Sequence, residues 1–288
     1  MRRFLTILLS LAMAVSLHAR GRALLIGIGD YPTESGWEKI NASNDLKLLS
    51  KTLEGYQITT LQDSKATYNG IKAAFKKFTA ECQTGDTVII HFSCHGQQMV
   101  QTVNSKDELD YLDEAIVPFD ALNKYSAKYR GEHHLKDDEL SQYIDQIRIV
   151  IGDTGFVLVS LDACHSDNSD RGSSEVSHRP VYRGSSDIFG KDVDKAKYLS
   201  AKFLSDSSPV HKTANMSNVL YISACKAYQR NSEVMVNGIG YGSLTISFCE
   251  SFQSNGISDM HIFLSNVKRK MSRLVPAQNI GIRSSFSL

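Results

Sequence analysis

The chain has 288 residues, enough to bury one large core or two small ones, and no composition shift or internal repeat marks a boundary, so a single α/β domain is predicted. Its 32 Lys and Arg residues against 31 Asp and Glu leave a formal charge of +1, which excludes the strongly basic footprint of a nucleic-acid-binding domain. The five cysteines follow neither a zinc nor a disulfide framework, and no Cys-x-x-Cys motif argues for thiol redox chemistry.

Residues 1–19 read as an export signal. Arg2 and Arg3 provide the positive start, Phe4 to Leu17 is an apolar run broken only by Thr6, Ser10 and Ser16, and Ala19 offers a small residue for cleavage. The run is too short for a spanning helix, so the mature chain, residues 20–288, is expected in the periplasm or outside the cell with no transmembrane segment. Losing Arg2 and Arg3 takes the formal charge from +1 to −1 and leaves the charge argument unchanged. An odd number of cysteines keeps at least one thiol unpaired there.

Arg22 to Ile28 reads as the first strand, ended by Gly29-Asp30-Tyr31-Pro32. Gly27-x-Gly29 is not a dinucleotide loop, because Pro32 stands where the third glycine belongs and no helix opens after it. Asn41 to Leu53 carries capping residues and then Leu46, Leu49 and Leu53 at helical spacing, with Asn44 and Asp45 in the first turn. The plainest role for Asp45 is to complement the helix dipole. Gln57 to Leu61 is a short strand, and Thr67 caps a helix to about Cys82 with Ile71, Ala74, Phe75 and Phe78 on one face. Thr87 to Phe92 is the third strand, and this alternation predicts right-handed crossovers and a doubly wound, mostly parallel sheet with helices on both faces. Asp107 to Asp120 is acidic, with a strand from Ala115 to Val117, and Asp137 opens a helix to Ile147. The acidic oxygens suit a solvated face, or a hard cation if the fold gathers them. A long polar stretch, Asp167 to Ser217, holds Arg171, Arg179, Arg183, Lys191, Lys195 and Lys197, and a loop of that length in a compact domain is usually functional or mobile. Val219 to Ser223 reads as a strand, Ser243 to Phe252 and Ile257 to Met271 as helices, and the tail from Ile280 as an edge strand.

The stretch that organises the rest is Gly155 to Ser166, GFVLVSLDACHS. Phe156 to Leu161 is a near-continuous apolar run, the pattern of a strand covered on both faces, and Asp162, Cys164, His165 and Ser166 follow at once. Thr87 to Phe92 has the same shape and runs into Ser93-Cys94-His95-Gly96. Ligands bind outside the carboxyl ends of parallel strands, where an imidazole from one strand end can face a thiol from the next. A free thiol has a pKa of about 8.5, and a nearby histidine can take its proton and leave a thiolate nucleophile. A buried cysteine filler or a core histidine is the plainer explanation for either residue alone; two matched strand ends argue for the pair Cys164 and His95. Side-chain alternation sends Cys94 to the opposite side from His95, and Gly96 allows close backbone approach, its N–H serving as an oxyanion donor.

These segments together resemble the metacaspases of the caspase-like cysteine peptidases: RALLIGIGDY, Asn44-Asp45, VIIHFSCHG, DELDYLDEAIVPFD, LKDDEL, LDACHSD and YISACKAYQRNSE. The resemblance identifies a bacterial, exported member and implies a caspase-like fold in one peptidase domain. It implies His95 as general base, Cys164 as nucleophile, and the N–H groups of Gly96 and Cys164 as oxyanion donors. It further implies a primary specificity pocket of Asp162, Asp45 and Ser93, which would favour a guanidinium or ammonium group. The substrates are then proteins or peptides cut after Arg or Lys, and the polar loop is a candidate for self-processing. No cofactor is required for the covalent step, although some members need calcium, through aspartates that match Asp110, Asp137, Asp138 and Asp170. The competing expectation is a catalytically inactive caspase-like interaction module.

Overall fold

A computed structural model describes residues 20–100, 112–164, 181–185, 187–191, 193, 210–226 and 229–288. A six-stranded sheet forms the middle of the molecule, with strands β1 (Gly21–Gly27), β2 (Gln57–Gln62), β3 (Thr87–Ser93), β7 (Phe156–Asp162), β8 (Asn218–Ser223) and β11 (Gly281–Ser284) in the order β11-β8-β7-β3-β1-β2. All neighbours run parallel except β11, which pairs antiparallel with β8 at the edge.

The β3 and β7 sequences are apolar almost throughout because both of their faces are covered. On one face, Leu24, Ile90, Phe92 and Val159 meet helix α2 (Tyr68–Glu81) and helix α3 (Asp137–Ile151). On the other, Leu25, Ile89 and Leu158 meet α1 (Ala42–Thr52), α4 (Ser243–Asn255) and α5 (Met260–Leu274). Phe75 of α2 is fully buried and stacks on Phe92 of β3 with ring centroids 6.3 Å apart; burying one such ring contributes roughly 2 to 3 kcal/mol.

Thr67 caps α2 as expected, accepting the Gly70 N–H at 3.0 Å. The capping expected of Asn41 does not form. Its side chain makes no cap bond and instead donates to Glu233, so a tertiary partner displaces the local one. The last two helices end and begin later than their apolar spacing implies: α4 continues to Asn255, and α5 starts at Met260 once Asp259 accepts the Ile262 N–H. The acidic segment yields a strand over Leu112–Ile116, not Ala115–Val117.

This strand, β5, lies between β4 (Gly96–Val100) and β6 (Leu135–Lys136) in a small antiparallel sheet that the sequence pattern did not reveal. A hairpin of β9 (Glu233–Val236) and β10 (Ile239–Gly242) leads into α4 and was equally hidden. All five cysteines are buried, and none is in a disulfide. Among the described residues no helix is long and apolar enough to cross a membrane.

Candidate active site

The parallel register sets Ser93 of β3 opposite Asp162 of β7, so the two strands end level. His95 and Cys164 each follow two residues later, and both line one cleft of about 270 Å³ with Trp37, Tyr182, Gly184 and Arg230. Cys94 turns the other way and joins the apolar cluster beneath α2 and α3, as side-chain alternation requires.

His95 is held on three sides. Its ring stacks on Trp37 with centroids 4.9 Å apart and lies 5.1 Å from Tyr31, while Nε2 donates to the Glu38 carbonyl at 2.8 Å. That bond fixes the tautomer, leaving the Nδ1 lone pair without a partner. Burial pushes the imidazole down to about 4, so it is neutral at pH 7 and able to accept a proton. The Cys164 thiol donates to the Gln229 carbonyl at 2.9 Å, and the Cys225 thiol reaches the same oxygen at 3.3 Å. The Val117 N–H donates to the His95 carbonyl, which puts Gly96 in a position whose own N–H and C=O face away from β5. The Gly96 carbonyl accepts the Ser185 N–H at 3.2 Å.

Beside the dyad, on the α1 and α4 side of the sheet, lies a buried acidic pocket. Asp162 accepts from Asn231 Nδ2 and Thr245 N, both at 2.7 Å, and from Thr245 Oγ1 at 2.6 Å. Asp45 accepts from Ser93 Oγ at 2.7 Å and from the Gly242 N–H at 3.0 Å. A side chain at 242 would start 2.1 Å from an Asp162 oxygen, so only glycine lets the β10–α4 junction close against the carboxylate. Burial lifts Asp45 to about 6, with Arg183 opposing and Asp162 adding to the lift. Burial also acts to raise Asp162, but Arg183, Asn231 and Thr245 outweigh it and hold that carboxyl below its usual range. The plain dipole role for Asp45 therefore gives way to a tertiary one.

The cation in this pocket is the chain's own Arg183, fully buried. Nη1 lies 2.7 Å from Asp45, 2.8 Å from Ser93 Oγ and 3.7 Å from Asp162, and Nη2 lies 2.8 Å from Glu233. Its carbonyl accepts the Cys164 N–H at 2.7 Å, and its N–H donates to the Asn231 carbonyl at 2.9 Å. Val181 accepts the Glu233 N–H at 2.9 Å, so residues 181–183 pair antiparallel with 231–233 through a Tyr182–Ser232 bridge. A side chain at 184 would begin 2.3 Å from the Cys164 carbonyl, so Gly184 is what permits this approach.

The expected residues Asp45, Ser93, His95, Gly96, Asp162 and Cys164 thus converge at one end of the sheet. Sequence reasoning missed Glu233, Asn231 and Thr245, although the first two lie in the singled-out YISACKAYQRNSE segment, and it noted Arg183 only as one of several loop cations. Asp137 and Asp138 lie in the first turn of α3, whereas Asp110 and Asp170 fall outside the described residues. Among the described residues no group of three or more His, Cys, Asp or Glu could hold a metal ion.

A mostly parallel sheet with an imidazole and a thiol at adjacent strand ends is the caspase-like architecture. The structure superposes on a structural-genomics protein of Geobacter sulfurreducens with a TM-score of 0.61, 22% identity and coverage of 93% of this chain and 94% of that one. It also matches Caspase-1 from Spodoptera frugiperda, at a TM-score of 0.54, 16% identity and coverage of 92% and 86%. The chain belongs to the caspase domain family, whose model matches residues 20–286. It is 26% identical over 275 residues to Metacaspase-1 of Schizosaccharomyces pombe, covering 81% of this chain and 60% of that protein. It is 30% identical over 155 residues to Metacaspase III c of Phaeodactylum tricornutum, covering 50% and 42% respectively. The chain therefore spans between about two fifths and three fifths of the length of these relatives.

Proposed function

We propose that the chain is a cysteine endopeptidase that cuts after Arg or Lys, processes its own 167–217 loop, and is exported through residues 1–19 to the periplasm or beyond the cell. One observation carries this reading. Arg183 lies among three buried carboxylates while its carbonyl accepts from the Cys164 N–H, which is how a substrate's basic side chain and scissile carbonyl would be held.

In this mechanism the Cys164 thiol turns its proton from the Gln229 carbonyl to His95 Nδ1, and the sulfur attacks the carbonyl carbon. Charge developing on the carbonyl oxygen is met by the N–H groups of Cys164 and Gly96. The tetrahedral adduct collapses as the C–N bond breaks, and His95 returns the proton to the leaving amine. Water, deprotonated by His95, then hydrolyses the thioester, releasing a carboxylate and restoring the thiol. The pocket supplies specificity because a neutral side chain would leave Asp162, Asp45 and Glu233 without a counter-charge.

Calcium as an activator remains part of the proposal, but the described residues do not form its site, and no step runs through it. Asp113, within the acidic segment, is already paired with Lys136. Cleavage of Arg and Lys reporter peptides by the purified chain, with and without a chelator, tests both points. Cys164→Ala should abolish turnover. Equal rates in that variant would discard the nucleophile, and no turnover by the unmodified chain would favour an inactive interaction module.

A further inference from the structure

The five buried cysteines are not alike. Cys82 and Cys94 pack in the apolar cluster on the α2 and α3 face of the sheet, and Cys249 in the one on the opposite face, whereas Cys164 and Cys225 belong to neither. These two leave the ends of neighbouring strands. Leu161 of β7 is level with Ser223 of β8, and its carbonyl still accepts the Ala224 N–H at 3.0 Å, one residue before Cys225. Adjacent strands lie about 4.8 Å apart, inside the Cα separation of about 4.4 to 6.8 Å that a disulfide spans. The two thiols converge on the Gln229 carbonyl, at 2.9 Å and 3.3 Å, and are hydrogen-bonded to each other. The loop around them is pinned. Gln229 Oε1 accepts the N–H groups of Lys226 and Asn279, its Nε2 donates to the Ala277 carbonyl, and Ser223 Oγ donates to the Cys225 carbonyl. Of the two cysteines, Cys164 lines the cleft. The bond to Cys164, together with burial, pushes the Cys225 thiol well above its ordinary range, so it is a poor target for an oxidant on its own.

Resting on the peptidase reading for the reactivity of Cys164, we propose that Cys225 is its resolving thiol: a hydroperoxide entering the cleft oxidises Cys164, and Cys225 captures it as a Cys164–Cys225 disulfide that thiols can reopen. In the first step the Cys164 sulfur attacks the terminal oxygen of the hydroperoxide and the O–O bond breaks. The sulfur is oxidised to a sulfenic acid and the hydroperoxide is reduced to an alcohol, or to water from hydrogen peroxide itself. The thiol proton reaches the departing oxygen through His95. In the second step the Cys225 sulfur attacks the Cys164 sulfur, the S–O bond breaks, and hydroxide leaves with the Cys225 proton as water. A sulfenic acid without a nearby thiol goes on to sulfinic acid, which thiols do not reverse. The disulfide therefore switches the nucleophile off while keeping it recoverable, by exchange with two equivalents of an external thiol.

The purified chain is treated with hydrogen peroxide, alkylated in denaturant to cap the remaining thiols, and digested without reductant. Mass spectrometry should find one cross-linked peptide joining Cys164 to Cys225, with Cys82, Cys94 and Cys249 all alkylated. Cleavage of Arg and Lys reporters should fall more than about tenfold on treatment and return to at least about half of its starting value with dithiothreitol. Cys225→Ser and Cys225→Ala are each compared with their own untreated activity. In both, the same peroxide dose should leave a loss of which dithiothreitol recovers less than about a tenth, with Cys164 found as sulfinic acid. Recovery equal to the parent's in these variants would overturn the resolving role. So would a parent chain in which Cys164 is over-oxidised while Cys225 is still alkylated. The peptide map needs no turnover, so a chain that forms the disulfide yet cuts no basic peptide sinks the peptidase reading alone. One that cuts basic peptides but never forms the bond sinks this proposal and leaves that reading standing.

Discussion

Replacing Arg183 with methionine should remove a counter-ion without opening a large hole. Arg183, Asp45 and Asp162 are each fully buried, and the guanidinium lies 2.7 Å from Asp45 and 2.8 Å from Glu233. Removing one partner from such a cluster costs about 3 to 5 kcal/mol because the remaining charges stay buried and unpaired. The loss should also depend on pH. Burial already holds Asp45 at about 6 against the downward pull of Arg183, so without that pull its folded value rises further above the unfolded one of about 3.9. The folded variant then binds more protons than its unfolded state in that window, and its stability falls as pH rises through the folded value. The gap to the parent should be widest near pH 8 and narrower near pH 5. Urea unfolding followed by circular dichroism, in a Cys164→Ala background so that no chain is cut, measures it. A penalty below about 1 kcal/mol, or one equal at both pH values, would refute the claim that Arg183 neutralises this pocket.

Asp162→Asn keeps the shape of the pocket floor but removes its charge. It should lower kcat/KM for Arg reporters by more than tenfold, while the two bonds from Thr245 to the oxygen that remains limit the loss of stability; equal effects on basic and neutral reporters would show that Asp162 does not read charge. Acid should destabilise the fold through its histidines. Burial pushes His91 and His95 down to about 4 and His134 to about 3. Each binds a proton more readily when unfolded, so its contribution is complete above the unfolded value of about 6.5 and shrinks as pH falls towards the folded one, by up to about 3 kcal/mol for His91 or His95 and about 5 kcal/mol for His134. A melting temperature unchanged between pH 7.5 and 4.5 would contradict this.

The central sheet was legible because β3 and β7 are covered on both faces and their sequences are apolar almost throughout, with turn residues marking their ends. The meeting of His95 and Cys164 at one cleft was legible because they stand at equal distances beyond a parallel pair, Ser93 and Asp162. The short strands β4, β6, β9 and β10 were not legible. Gln97, Gln98 and Lys136 carry polar side chains that give no alternation, and they form strands because of what lies opposite them. Arg183 was seen only as one cation among several, since nothing local distinguishes it: Asp45, Asp162 and Glu233 are all distant in sequence, and the backbone bonds that seat it come from Asn231 and Cys164. The Asn41 cap was misjudged for a related reason, as Glu233, nearly two hundred positions away, competes for the same amide.

The chain contains a single tryptophan, and it is the residue stacked on His95. Trp37 is nearly buried, and its indole N–H donates to the Ala121 carbonyl at 3.1 Å, which limits rotation of the ring. Every photon emitted by indole in this protein therefore originates beside His95. An imidazolium quenches indole fluorescence more strongly than a neutral imidazole does, so a simple emission titration reports the charge of that one ring with no label attached. The same signal, followed after mixing with a peptide, would time the arrival of a ligand in the cleft.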